Sequence, residues 1–183
     1  MSAADSALMA QYLLGFFVLP LWIAAGFADY LCHRAARIEQ NSGISESILH
    51  LLQFALMAIP VTMVLLLEVN GGVILTALLC VLLHHAAAYI DVMYADGARK
   101  IPPREQMIHS LLEVLPIAAM LLLIVAHPQQ SGALIGISGI GADFTFRLGN
   151  LPRSYVMSMI GVTILLNALP YGEEFLRCLR QRN

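Results

Sequence analysis

Charge is scarce in this 183-residue chain: Asp, Glu, Lys and Arg make up 12% of it, where soluble domains carry about 25%. The net charge of −2 supplies no basic surface, which excludes nucleic acid as a partner. Cysteine is equally sparse. Cys32, Cys80 and Cys178 are far apart and form no CxxC pair, so neither a disulfide framework nor a thiolate metal site is expected. The first 33 residues hold no Lys or Arg, so the positive region of a cleavable signal peptide is missing and no targeting peptide is expected. No internal repeat is evident.

What is abundant is apolar sequence, at 59% hydrophobic residues. Five stretches reach the roughly 20 residues that a helix needs to cross a bilayer. They are placed at 9–38, 45–69, 72–96, 104–127 and 153–171, within one transmembrane domain over 1–183. Asn41-Ser42-Gly43, Asn70-Gly71-Gly72 and Pro102-Pro103 punctuate them. The segment 128–152 is Gly-rich and half apolar, and is read as interfacial or re-entrant. Residues 172–183 read as a basic interfacial tail, and the fifth span, without an ionisable residue between Tyr155 and Tyr171, as scaffold. The expected fold is an all-α integral membrane protein whose first four spans form an antiparallel bundle.

Cations set the orientation. Five spans place Arg34, Arg37, Arg99, Lys100, Arg104, Arg177, Arg180 and Arg182 on one side, and Arg147 and Arg153 on the other. By the positive-inside bias the N-terminus is expected outside and the C-terminus in the cytoplasm, in a bacterial-type inner membrane.

Five of the six histidines fall in spans one to four, and each of these spans also carries acids near the same membrane face. Asp29/His33, Glu46/His50 and Glu105/His109/Glu113 step by four residues, one helical turn along one face. His84 and Asp91 lie two turns apart with Ala87 and Ala88 between them, so His84 is preferred as a ligand, and His85 is a neighbour supporting the site or an alternative ligand. Counting along each span puts Asp29, His50, Asp91 and His109 at one depth, roughly 27–28 Å from the outer end. His33, Glu46 and Glu105 fall nearer the cytoplasm, at roughly 33–36 Å, and His84 and Glu113 deeper in the membrane, at roughly 18–21 Å. A four-helix bundle turns such spacings into one contiguous site.

Taken singly these residues have plainer explanations. Glu46 and Glu105 each open a helix, where an acid suits the dipole. Asp96-Gly97 is a helix stop, His127 a boundary residue, and a lone intramembrane histidine often only joins helices. Arg34 and Arg104 are read as partners of Glu46 or Glu105, or with Arg99 and Lys100 as a ring for a phosphate headgroup, although the positive-inside bias explains the ring more simply. Jointly, the acids need compensation, because each unpaired carboxylate in a bilayer costs several kcal/mol. Imidazole with carboxylate suits Fe, Mn or Zn. Nine ligands, Asp29, His33, Glu46, His50, His84, Asp91, Glu105, His109 and Glu113, exceed what one ion uses and imply two, with iron favoured.

In kind the pattern resembles the membrane-embedded di-iron hydroxylases and desaturases, which hold histidines at the cytoplasmic ends of transmembrane helices. It departs from their HxxxH and HxxHH boxes, since His84-His85 lacks the preceding histidine. Soluble ferritin-like bundles share the carboxylates but use an ExxH step where this chain has D/E-x-x-x-H. The expectation is a di-iron oxidoreductase acting on a lipid or other membrane-dissolved substrate with an electron donor, Tyr30, Tyr89 and Tyr94 lying near. The alternatives are a zinc hydrolase with Glu113 as general base, and a metal transporter or sensor. Glu68 is the lone acid on the outer half of spans one to four, which writes no transit path. A homo-oligomer is open.

Overall fold

The computed structural model describes residues 2–134 and 151–181. Among these residues there are helices and no strands. Five helices are long and apolar enough to cross a membrane: α1 (Ala3–Ala36), α2 (Gly43–Leu66), α3 (Gly71–Ala98), α4 (Pro103–Ala126) and α6 (Arg153–Gln181). A short α5 (Pro128–Leu134) follows α4. The chain is a multi-pass integral membrane protein. Large apolar side chains such as Phe17, Leu82, Leu121, Leu165 and Leu169 stand on its outer surface, where a bilayer, unlike water, exacts no hydrophobic cost.

The breaks follow local chemistry. Arg37 closes α1 in a left-handed conformation, its N–H reaching the Arg34 and His33 carbonyls. Gly43 opens α2 at φ 65°, a backbone state that glycine adopts without strain. The Asn70 side chain accepts the Val73 N–H to cap α3, and Pro103 sits at the first position of α4, where its missing N–H costs nothing.

Two spans differ from the sequence expectation. The first helix begins at Ala3 instead of residue 9. The last does not stop at Tyr171: α6 runs unbroken to Gln181, and Cys178, in the segment read as a basic interfacial tail, is buried. The proposed interfacial or re-entrant character of 128–152 falls, for 135–150, outside the described residues.

The half of the bundle nearer the α1 N-terminus holds apolar packing, with Leu19, Ile23, Leu65 and Val156 in one cluster and Ile74, Ala77, Met120 and Leu123 in another. Toward the opposite end, where α1 closes, the helices are built differently, and two of them change geometry on the way. α1 and α6 each contain one π-helical turn, Leu14–Val18 and Ile164–Ala168, a local widening that often accompanies functional sites. The second turn aims Asn167 at α1, where its Nδ2 donates to the Ile23 carbonyl at 3.2 Å. Gly26 lets this happen, because a Cβ there would lie 2.5 Å from Asn167 Nδ2. One turn further on, the Tyr171 hydroxyl lies 3.0 Å from the Gly26 carbonyl and 3.3 Å from Asp29 Oδ2. The α1–α6 contact therefore fixes the position of every α6 side chain below it.

Candidate metal centre

Eight ionisable side chains from all five long helices and the loop after α3 meet at the end of the bundle where α1 closes: Asp29, His33, Glu46, His50, Asp91, Arg99, Glu105 and Glu174 are all buried. His109, with 15% side-chain exposure, completes the group. The four residues assigned to one depth fall into two close pairs. His109 Nε2 is 3.0 Å from Asp29 Oδ1 and His50 Nε2 is 3.2 Å from Asp91 Oδ2. His33 Nε2 lies 3.4 Å from Asp29 Oδ1 and 3.8 Å from Glu105 Oε1, between the layers. The His33 and His50 rings stack at 4.1 Å with their planes 6° apart, and the Nδ1 of each meets the same carboxylate.

Glu174 explains that alignment, and the sequence reading missed it. Its Oε2 accepts from His33 Nδ1 at 3.1 Å and its Oε1 from His50 Nδ1 at 2.7 Å. A carboxylate has only lone pairs to offer, so both Nδ1 atoms carry hydrogen. In neutral imidazoles that leaves the two Nε2 atoms as bare acceptors facing inward. Those two atoms, with Asp29 Oδ1 and Asp91 Oδ1, are buried and lack a hydrogen-bond partner. Their approaches to neighbours are close in distance but not in hydrogen-bond alignment. Four inward-facing lone-pair atoms without a donor are what a cation requires. Two groups offer ligand atoms within 4.8 Å of one another, Asp29/His33/His109 and His33/Glu46/His50.

The expected α6 scaffold role is thus corrected. Thr163, Asn167, Tyr171 and Glu174 recur at helical spacing along one face, a polar stripe that was readable in the sequence. Ending the span at Tyr171 hid its last member inside an apparently basic tail.

The partner of Glu46 and Glu105 is also corrected. It is neither Arg34 nor Arg104 but Arg99. Its guanidinium reaches Glu46 Oε1 at 2.6 Å and Oε2 at 3.3 Å, and pairs through Nη2 and Nη1 with both Glu105 oxygens. Burial pulls the Arg99 pKa down, but the bonds to Glu105 and Glu46 outweigh it and hold it above the usual arginine value. Arg34 instead bonds Tyr30 and Glu173 near the surface, and Arg104 is exposed. Five buried carboxylates, Asp29, Glu46, Asp91, Glu105 and Glu174, thus face one guanidinium.

His84 and Glu113 stay outside both groups. They line a cavity of about 110 Å³ above the cluster, together with Asp29, His50, Asp91 and His109. His84 Nδ1 lies 3.4 Å from the Gln53 carbonyl. Both nitrogens of His85 face carbonyls, of Val81 at 2.8 Å and of Glu113 at 3.0 Å, so this ring lies between α3 and α4 and belongs to neither group. Gln53 donates to Asp91 Oδ2 at 3.0 Å, a second contact the sequence did not announce. Among the tyrosines, Tyr30 bonds Glu173, Tyr94 bonds the Ser42 carbonyl and Tyr89 is exposed; Tyr171 is the one that touches the cluster.

Fold and site together define a class: a five-span helical membrane protein with a buried histidine–carboxylate cluster. No family model, curated protein or solved structure matches the chain, so the reading of its function rests on this geometry.

Proposed function

We propose that the cluster is a dinuclear metal centre and the protein a membrane-embedded oxidoreductase acting on a lipid or other membrane-dissolved substrate. The observation that carries the proposal is Glu174 within hydrogen-bond distance of both Nδ1 atoms, which in neutral imidazoles leaves the inward Nε2 atoms of His33 and His50 without hydrogen. Carboxylates that orient histidines through the far nitrogen are the usual support of metal-binding imidazoles.

Charge supports two ions. Five carboxylates against Arg99 leave four negative charges in a low-dielectric interior, at several kcal/mol each. Two divalent cations cancel four. Protonating His33, His50 and His109 would cancel only three, and would place hydrogen on the nitrogens that lack acceptors in line. In the proposed arrangement one ion takes Asp29, His109 and His33, and the other His50, Asp91 and Glu46, with Glu105 within reach of the first. Nitrogen and oxygen donors without thiolate suit iron or manganese as well as zinc. An iron pair would supply O₂ activation, with electrons from a separate donor. The distribution of cations supports a cytoplasmic setting for this end of the bundle.

Metal analysis of protein purified without added metal, with an optical spectrum, tests this. Two irons per chain with oxo-to-iron absorption are expected. Stoichiometric zinc would replace the oxidoreductase by a hydrolase, in which Glu113 on the cavity wall serves as base toward a metal-acidified water. Only trace metal, unchanged by His50→Ala and His109→Ala, would sink the metal centre itself.

A further inference from the structure

A second cavity, of about 380 Å³, lies in the outer half of the bundle and shares the walls Leu19, Trp22, Met57 and Val61 with the cavity above the cluster. The lining of the pair runs along α2 from His50 to Glu68 and, beside it, from His109 on α4 to His127 just past its end. Each interval is eighteen residues, roughly 27 Å along a helix. Polar side chains gather at the two ends of this passage. The inner floor is the cluster, and the outer mouth has Gln11, Glu68, His127 and Gln130. Burial there holds His127 below the usual histidine pKa. Between the ends the wall is apolar, with Leu14, Val18, Val64, Met120 and Leu123 among its side chains.

We propose that this passage is the substrate channel and that its occupant is an unbranched hydrocarbon chain of a membrane lipid, lying lengthwise with one end at Asp29, His50, Asp91 and His109. Length and width decide the class. A ring system or a bulky headgroup fills a short, wide pocket, whereas a space that spans most of the membrane thickness with so little volume accommodates a single flexible chain. The apolar wall rewards each methylene it removes from competing surroundings by contact alone, since lipid tails are as apolar as the wall. Selectivity then comes from shape, and Leu19, Trp22, Met57 and Val61, which line both cavities, are the side chains that an occupant of the two must pass. The chemistry at the floor rests on the metal centre proposed above; the occupancy of the passage does not.

Photolabelling of the full-length protein in lipid bicelles tests the assignment. The probes are a fatty acid bearing a chain diazirine and the same chain esterified in phosphatidylcholine. Adducts are expected on Trp22, Met57 or Val61, with competition by unlabelled chain. Ala119→Phe in the outer cavity and Ala58→Phe in the inner one should each lower wall labelling about tenfold, with metal content and monodispersity unchanged, while lipid-facing Leu82→Phe leaves labelling unchanged. Adducts from the free acid alone, or from the ester alone, identify which source supplies the chain. Labelling confined to exposed residues such as Phe17 and Leu165, or wall labelling insensitive to both alanine substitutions, would overturn the channel even if two metals are bound. Wall labelling in a protein without metal would keep the channel and refute the centre.

Discussion

Glu174 Oε1 and His50 Nδ1 are 2.7 Å apart, and the other oxygen of the same carboxylate is 3.1 Å from His33 Nδ1. One side chain from the last helix thereby sets the proton position on two histidines from two other helices. Glu174→Gln separates this role from simple packing. Glutamine is nearly the same size, but it offers one acceptor and one NH₂ donor. One histidine must then turn its bare nitrogen toward the amide and place hydrogen on Nε2, where it can no longer bind metal. The expected outcome is a metal affinity about 10–100-fold weaker with helical circular dichroism unchanged, measured by competition with a chelating dye. Unchanged affinity would make Glu174 a packing residue only.

Arg99 is the cation inside the cluster, and its side chain is 5% exposed. Arg99→Met leaves Glu46 and Glu105 buried without their partner, which by the behaviour of broken buried pairs costs about 3–5 kcal/mol. Replacing the acids as well, in Arg99→Met/Glu46→Gln/Glu105→Gln, should recover most of that loss, because no uncompensated charge remains. Thermal unfolding in a fixed detergent compares the two variants. If both are equally destabilised, the guanidinium contributes shape more than charge.

The span pattern and the fourfold steps were legible because helix geometry converts them directly into faces: Asp29 and His33, Glu46 and His50, and Glu105 and His109 do share sides of their helices. Depth counting was enough to bring His109 to Asp29 and His50 to Asp91, since antiparallel spans of similar length have little freedom to slide. Glu174 was lost for a reason of bulk character. Arg177, Arg180 and Arg182 dominate the composition of residues 172–183, and that basic character masked Glu174, the acid that α6 buries. Arg99 was lost because a loop residue obeys no periodicity; its reach to Glu46, 53 positions away, depends on how α2 and α3 pack. His84 shares Asp91's stripe, but two further turns along α3 take it to the cavity wall instead of the cluster.

Gly26 gives a test of how the cluster is positioned from a distance. A Cβ there would stand 2.5 Å from Asn167 Nδ2 and 3.6 Å from the Tyr171 hydroxyl, so Gly26→Ala displaces the Asn167 amide from the Ile23 carbonyl and loosens the α1–α6 contact that positions Tyr171 and Glu174. Overpacking of this kind costs about 1–3 kcal/mol, and metal affinity should fall along with stability although no ligand has changed. Gly97→Ala is the control. Nothing lies within 4 Å of its Cβ, and a helical glycine replaced by alanine gains up to about 1 kcal/mol. Metal binding that weakens in neither variant would disconnect the α1–α6 contact from the site.

In the proposed dinuclear centre the ions do two things at once, so removing metal should destabilise this protein more than removing a surface ligand would. They bind the folded state selectively, which stabilises it by about 2.7 kcal/mol when free metal stands at a hundred times the dissociation constant. They also cancel the four negative charges that the Arg99 guanidinium leaves uncompensated. A chelator that strips the ions exposes those charges to one another, so the melting temperature in detergent should drop by several degrees and return when metal is restored. Asp29→Asn/Asp91→Asn relieves part of the repulsion while also removing ligands. In that double variant the chelator should change the melting temperature far less, and the metal-free form should melt above the metal-free wild type. A wild-type protein whose melting is indifferent to chelator at every concentration would mean that protons, not metal ions, balance the cluster.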